Sequence, residues 1–167
     1  MTMQIDILFV AFWSLMLVIG VSDAKNQRIP NKLVVLLFVV SCVHVFSYGT
    51  TDATDHLTGA FIAFCGALVL YWRKAMAAGD VKLLFVIGFW VGFDQLLPVL
   101  AAIIMAGGVV SCFYLAQFLA TSQLSLQQNL QGYYYYRTTY KFSHRTKLVI
   151  PFAPAIVIGL ASYYYLY

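Results

Sequence analysis

Asp23 and Asp80 each stand at the edge of a strongly apolar segment. Each is followed two positions later by a lysine, as Asp23-Ala24-Lys25 and Asp80-Val81-Lys82. They belong to a set of only six acidic residues, all aspartate. A carboxylate beside a bilayer is expensive, so its placement carries information. Two carboxylates brought to one site cannot both ionise easily; they share a proton and titrate as a unit. The ionised member can then take a proton from water while the protonated one polarises a peptide carbonyl. That chemistry needs no metal, no cofactor and no covalent intermediate.

The elements that must position such a pair follow from composition. The 167 residues are 62% hydrophobic and 10% charged, with a mean hydropathy of +0.84. A soluble domain carries about a quarter charged residues, so the chain reads as an integral membrane protein in the lipid bilayer. A helical span takes roughly 20 apolar residues, and the expectation is an all-α, polytopic protein with about six transmembrane helices. Residues 1–167 are expected to form a single membrane domain with no soluble domain attached. Met1 to Asp6 hold no Lys or Arg, so the first apolar stretch is expected to be a retained span rather than a signal peptide. The expected spans run over about 5–21, 33–46, 57–72, 81–93, 97–120 and 148–164. Ile29-Pro30-Asn31 restarts the chain after the first span, with Asn31 as a helix cap. Asp80 is expected to cap or open the fourth helix. Asp94 marks a turn, Pro98 suits the start of the fifth span, and Pro151 with Pro154 predicts a kinked or unwound start to the sixth.

The ten basic residues fix an orientation. Lys25, Arg28 and Lys32 follow span one. Arg73, Lys74 and Lys82 follow span three. Arg137, Lys141, Arg145 and Lys147 follow span five. The loops after spans two and four have none, so the basic loops are expected in the cytoplasm of a plasma membrane protein, with both termini outside. The net charge of +4 is then a topology signal rather than a nucleic-acid footprint. Asp23 and Asp80 fall on the cytoplasmic face. Asp6, Asp52, Asp55 and Asp94 fall on the other.

Each aspartate has a plainer reading. An Asp at a helix N-terminus often only caps it, and an Asp beside a Lys in an interfacial loop is often just solvated. The surrounding words weigh against this. Asp23-Ala-Lys-Asn-Gln-Arg-Ile-Pro-Asn31 and Ala77-Ala-Gly-Asp80-Val-Lys-Leu-Leu84 resemble the two signature motifs of type IV prepilin peptidases, in the GxGD group of membrane aspartic proteases. The resemblance extends to the spacing of the two motifs and to the late Ile150-Pro151-Phe-Ala-Pro154-Ala155 segment. It is nearest to the short, peptidase-only branch that serves Flp or tight-adherence pili. It implies hydrolysis of one peptide bond in a prepilin, removing a basic leader on the cytoplasmic side of the bacterial inner membrane. Asp23 and Asp80 would be catalytic, with Lys25, Pro30, Asn31, Gly79 and Lys82 in substrate binding or motif support. Ala77 departs from the pattern, standing where the family's first glycine usually sits. The cysteine-bearing domain of the longer, N-methylating members is not expected. A proton-coupled transporter would need acids deep within spans, and a non-catalytic pilus subunit would need neither acid.

Cys42, Cys65 and Cys112 are scattered singly, so neither a zinc site nor a disulfide framework is expected. His44, within span two, reads as an interior residue rather than a ligand. Gly88-Phe-Trp-Val-Gly92 has GxxxG spacing, which serves internal packing or a homodimer. The Tyr133 to Tyr136 run with Arg137 is read as lying along the membrane surface, where it could dock a substrate.

Overall fold

A computed structural model describes residues 7–48, 53–121 and 151–166. The described residues are all-helical. The six helices are α1 (Ile7–Asn26), α2 (Asn31–Tyr48), α3 (Ala53–Trp72), α4 (Ala78–Val91), α5 (Leu96–Thr121) and α6 (Ala153–Leu166). Each expected span has its helix. Three helices are long and apolar enough to cross a membrane: Ile7–Asn26, Ala53–Trp72 and Leu96–Gln117. Asn31–Ser47 and Ala153–Leu166 are shorter apolar helices. α4 has only 14 residues, about 21 Å of rise against the roughly 30 Å of a hydrocarbon core.

Two compact units divide these residues at Gly107. The first holds α1 to α4, α5 as far as Gly107, and α6. The second holds α5 from Gly108 onward, where Val109 and Phe113 are exposed and the Phe113 and Tyr114 rings meet edge to face. The Tyr133 to Tyr136 run, the basic residues from Arg137 to Lys147, Asp6, Asp52 and Ile150 lie outside the described residues.

Within the first unit α4 is the central element. Val81, Leu83, Leu84, Val86, Ile87, Phe89 and Trp90 are all buried, which is the pattern of a helix apolar on every side. Its core is shared with Phe12, Met16 and Ile19 of α1, Leu37 of α2, Ile103 of α5 and Ile156 and Leu160 of α6. Trp90 stacks on Phe12 with ring centres 3.9 Å apart and donates its indole N–H to Tyr164 Oη at 3.0 Å. His44 packs its ring 4.3 Å from Trp90, in keeping with an interior role.

α3 and α4 form a hairpin that closes by backbone contact. A Cβ at Gly88 would stand 2.6 Å from the Gly59 carbonyl oxygen, and one at Gly59 would stand 2.6 Å from the Gly92 carbonyl carbon. The GxxxG spacing thus serves internal packing. α4 stops at Val91 because Gly92 turns to φ +81°, C-capping the helix with its N–H on the Gly88 carbonyl, a conformation glycine adopts readily. Pro98 falls in the first turn of α5, as expected. α6 begins at Ala153, and Pro151 and Phe152 before it are not helical, in line with the unwound start expected for this span; residues 148–150 lie outside the described residues.

Candidate active site

Five helix ends converge on one end of the first unit. α1 ends at Asn26, and Gln27 reverses the chain at φ 52° while its N–H reaches the Asp23 carbonyl at 2.8 Å. This left-handed exit is a common way to stop a helix. Four residues later α2 begins, with the Pro30 carbonyl accepting from Leu33 at 3.0 Å and Val34 at 3.4 Å. α3 ends at Trp72, and a short loop through Lys74, itself at φ 58°, leads into α4. α6 starts at the same end.

Asp23 is the fourth residue from the end of α1 and is only 6% exposed. Its Oδ2 accepts the Ala153 N–H at 3.0 Å. An amide in the first turn of a helix has no intrahelical partner, so the carboxylate satisfies a group that burial would otherwise strand.

Asp80 is the third residue of α4 and is equally buried, at 6% exposed. Its Oδ2 accepts the Ala77 N–H at 3.3 Å. Ala77 has no side-chain acceptor to return the bond, so this is half of a capping box. Asp80 precedes the apolar stretch of α4 and lies in none of the three long apolar helices. Its carboxyl is pushed up to about 6. Burial is the main cause; the Ala77 amide opposes it, and the negative charge of Asp23 adds to it. The two acids are therefore near enough to act on each other.

Ala77 itself sits at φ −82°, ψ 154°. That is ordinary extended backbone, so a methyl group at this position meets no conformational penalty.

The two sequence words also interlock. Gly79 lies against Ile29, where a Cβ would come within 3.2 Å of the Ile29 Cβ. Lys82 Nζ donates to Asn31 Oδ1 at 3.0 Å. The expected capping role for Asn31 is corrected here. Asn31 is the first residue of α2, the Pro30 carbonyl takes the first helical bonds, and the Asn31 side chain reaches across to α4. Pro30, Asn31, Gly79 and Lys82 are thus brought together beside Asp80. Lys25 is exposed on the last turn of α1 and takes no part in the interlock.

Residue reading missed two partners: Ile29 as the surface that Gly79 packs on, and the Ala153 amide. Pro151 and Pro154 signalled a helix start, but nothing local tied that start to Asp23. Asp55 lies at the far end of the α3–α4 hairpin, with its Oδ1 and Oδ2 each 3.2 Å from the Phe93 N–H.

Chemically, the arrangement offers two buried carboxyls at one end of the unit, with Asp80 holding its proton well above the usual carboxylate range. Each is held by a backbone amide.

Residues 10–112 match the type IV leader peptidase family. The prepilin leader peptidase/N-methyltransferase of Escherichia coli (strain K12) is 30% identical over 105 residues, covering 59% of this chain and 46% of that protein. The protein of the same name from Pectobacterium carotovorum subsp. carotovorum is 30% identical over 104 residues, covering 58% and 37%. That from Klebsiella pneumoniae is 27% identical over 90 residues, covering 50% and 40%. The chain thus spans less than half the length of these curated relatives. No solved structure matches it.

Proposed function

The chain belongs to the type IV leader peptidase family, and on that premise we propose that it is a membrane aspartic endopeptidase that removes the leader of a prepilin. The observation that carries the reading is the placement of Asp23 and Asp80, two buried acids brought from separate helices to one end of the helical unit. Asp23 and Asp80 share a proton. The ionised member takes a proton from water as the water oxygen attacks the scissile carbonyl carbon. The protonated member donates to the carbonyl oxygen. Collapse of the tetrahedral species breaks the C–N bond, and the leaving nitrogen takes up a proton. One water is consumed, giving a carboxylate and an amine.

Lys82, Asn31, Pro30 and Gly79 hold the two motif segments in register, and Lys25 serves orientation in the membrane. The reading takes over the peptidase half of the relatives' names, because two carboxyls and water supply hydrolysis. The finer assignment is an Flp-like prepilin cut at the cytoplasmic face. It rests on the motif words and on the described basic residues Lys25, Arg28, Lys32, Arg73, Lys74 and Lys82, which fall at or beside the helix ends that carry the acids. A transporter is disfavoured, since both acids stand near helix ends rather than at mid-span.

Co-expression with a small Flp-like prepilin, followed by a mobility-shift assay, tests the proposal. The wild type should shorten the prepilin, and Asp23→Asn and Asp80→Asn should each abolish the shift. Normal cleavage by either variant sinks the reading, and pilus assembly retained with both Asp replaced by Asn would favour a non-catalytic pilus subunit.

A further inference from the structure

Residues 151–153 lie well beyond the family match, which ends at residue 112. Yet the start of α6 touches the candidate site directly. Ala153 is fully buried, and its N–H points at Asp23 Oδ2 from 3.0 Å. One turn earlier on α1, a Cβ at Gly20 would come within 3.2 Å of Val157 Cγ2 and 3.9 Å of Pro154 Cα. Gly20 and Asp23 share one face of α1, and Ala153 and Val157 share one face of α6, by their three- and four-residue spacings. Asp23 meets Ala153 while Gly20 meets Val157, so the two helices run antiparallel in a fixed register. The register is tight because Gly20 has no side chain to hold Val157 away. Pro154 has no N–H, so the residue after Ala153 offers the carboxylate no competing donor.

We infer that the first turn of α6 is an active-site element, with the Ala153 amide acting as the positioning group for Asp23. This rests on the peptidase reading above. Asp23 has rotatable χ angles and would otherwise swing between orientations. The amide donor, fixed at the end of a packed helix, holds Oδ2 and leaves proton transfer to the other oxygen. A charge-assisted bond to a helix N-terminus is among the stronger single contacts a carboxylate can make.

The test removes the donor and keeps the side chains. Ala153→Pro deletes the N–H at a helix position where proline is tolerated, and Ala153→Gly keeps the N–H. The expected result is a fall in kcat of about tenfold to a hundredfold for Ala153→Pro, the range for one charge-assisted hydrogen bond. KM should be unchanged, and Ala153→Gly should stay within about threefold of wild type, since glycine retains the donor. Should Ala153→Pro fail to fold, lactic acid in place of Ala153 removes the N–H by turning the amide into an ester. Wild-type kcat in the proline or ester variant overturns the inference.

A second measurement does not depend on peptidase activity. Thermal unfolding of wild type, Asp23→Ala, Ala153→Pro and the double variant forms a cycle. The double variant should lose less than the sum of the single losses; strict additivity overturns the inference. If no prepilin is cleaved by the wild type, the peptidase reading fails while this cycle still decides whether Ala153 holds Asp23.

Discussion

The two ends of the α3–α4 hairpin use the same chemical part in opposite ways. At one end Asp80 is buried, accepts a single amide at 3.3 Å and has its proton affinity raised. At the other, Asp55 sets both oxygens on the Phe93 amide, beside a buried His56 whose Nδ1–H donates to the Phe89 carbonyl at 2.7 Å. The far end also has the close Gly59–Gly88 and Gly59–Gly92 crossing, which locks the hairpin there. The near end has longer contacts, an exposed loop and a second acid. Where a carboxylate only ties backbone together, both oxygens meet an amide and its neighbours are locked. The acids proposed to exchange a proton are instead buried together at the other end.

The largest expected effect breaks this comparison outright. Asp23→Asn or Asp80→Asn should lower prepilin cleavage by about 10³-fold, the scale of losing positioned acid–base chemistry. Asp55→Asn should leave it within a few-fold of wild type. A mobility-shift time course measures all three, and equal losses would erase the distinction between the ends.

The next effect concerns the locked end. Gly88→Val would drive atoms into the Gly59 backbone and should destabilise the protein by about 3 kcal/mol, read as a lower midpoint in thermal unfolding. The substitution should act through stability, with cleavage per folded molecule preserved at low temperature.

A third effect sharpens the contrast in proton affinity. Native Asp80 keeps its proton up to a pH of about 6, against an ordinary value of 3.8. The native state therefore binds more protons than the unfolded chain between those values. Stability falls as pH rises through that window, and the cost is complete above it. Asp80→Asn should thus raise stability above pH 6, by up to about 2 kcal/mol once solvent screening is allowed for. It should change little below pH 3.8. Melting curves across that range give the sign, and a variant that gains nothing at high pH would contradict the burial of the charge.

The smallest effect lies just past Asp23. Gln27 carries a positive φ of 52°, which a Cβ disfavours. Gln27→Gly should stabilise the end of α1 by about 0.5–1 kcal/mol, visible as a modest rise in melting temperature.

Much of this was legible in the residues. The apolar runs located all six helices, and the local words around Asp23 and Asp80 singled out the acids, Asn31 and Lys82 before their contacts were known. What could not be read was pairing at a distance. Nothing near Asp23 names Ala153 as its partner, and nothing near Asn31 says that its amide would reach Lys82 instead of capping its own helix. Periodicity reports which face of a helix is apolar; it does not report which neighbour lies on it. The shortness of α4 was legible in its apolar run over 81–93; its enclosure by the other helices was not, since that depends on packing at a distance.

The hydrogen bond from Ala153 to Asp23 bears on how the protein is made. Both acids and both motif segments leave the ribosome before α5 is made, while the amide that holds Asp23 arrives only with α6. A nascent chain that has inserted α1 to α4 carries every residue of the motifs without the amide that holds Asp23. On the proposed reading, competence waits for the step that docks α6 against α1.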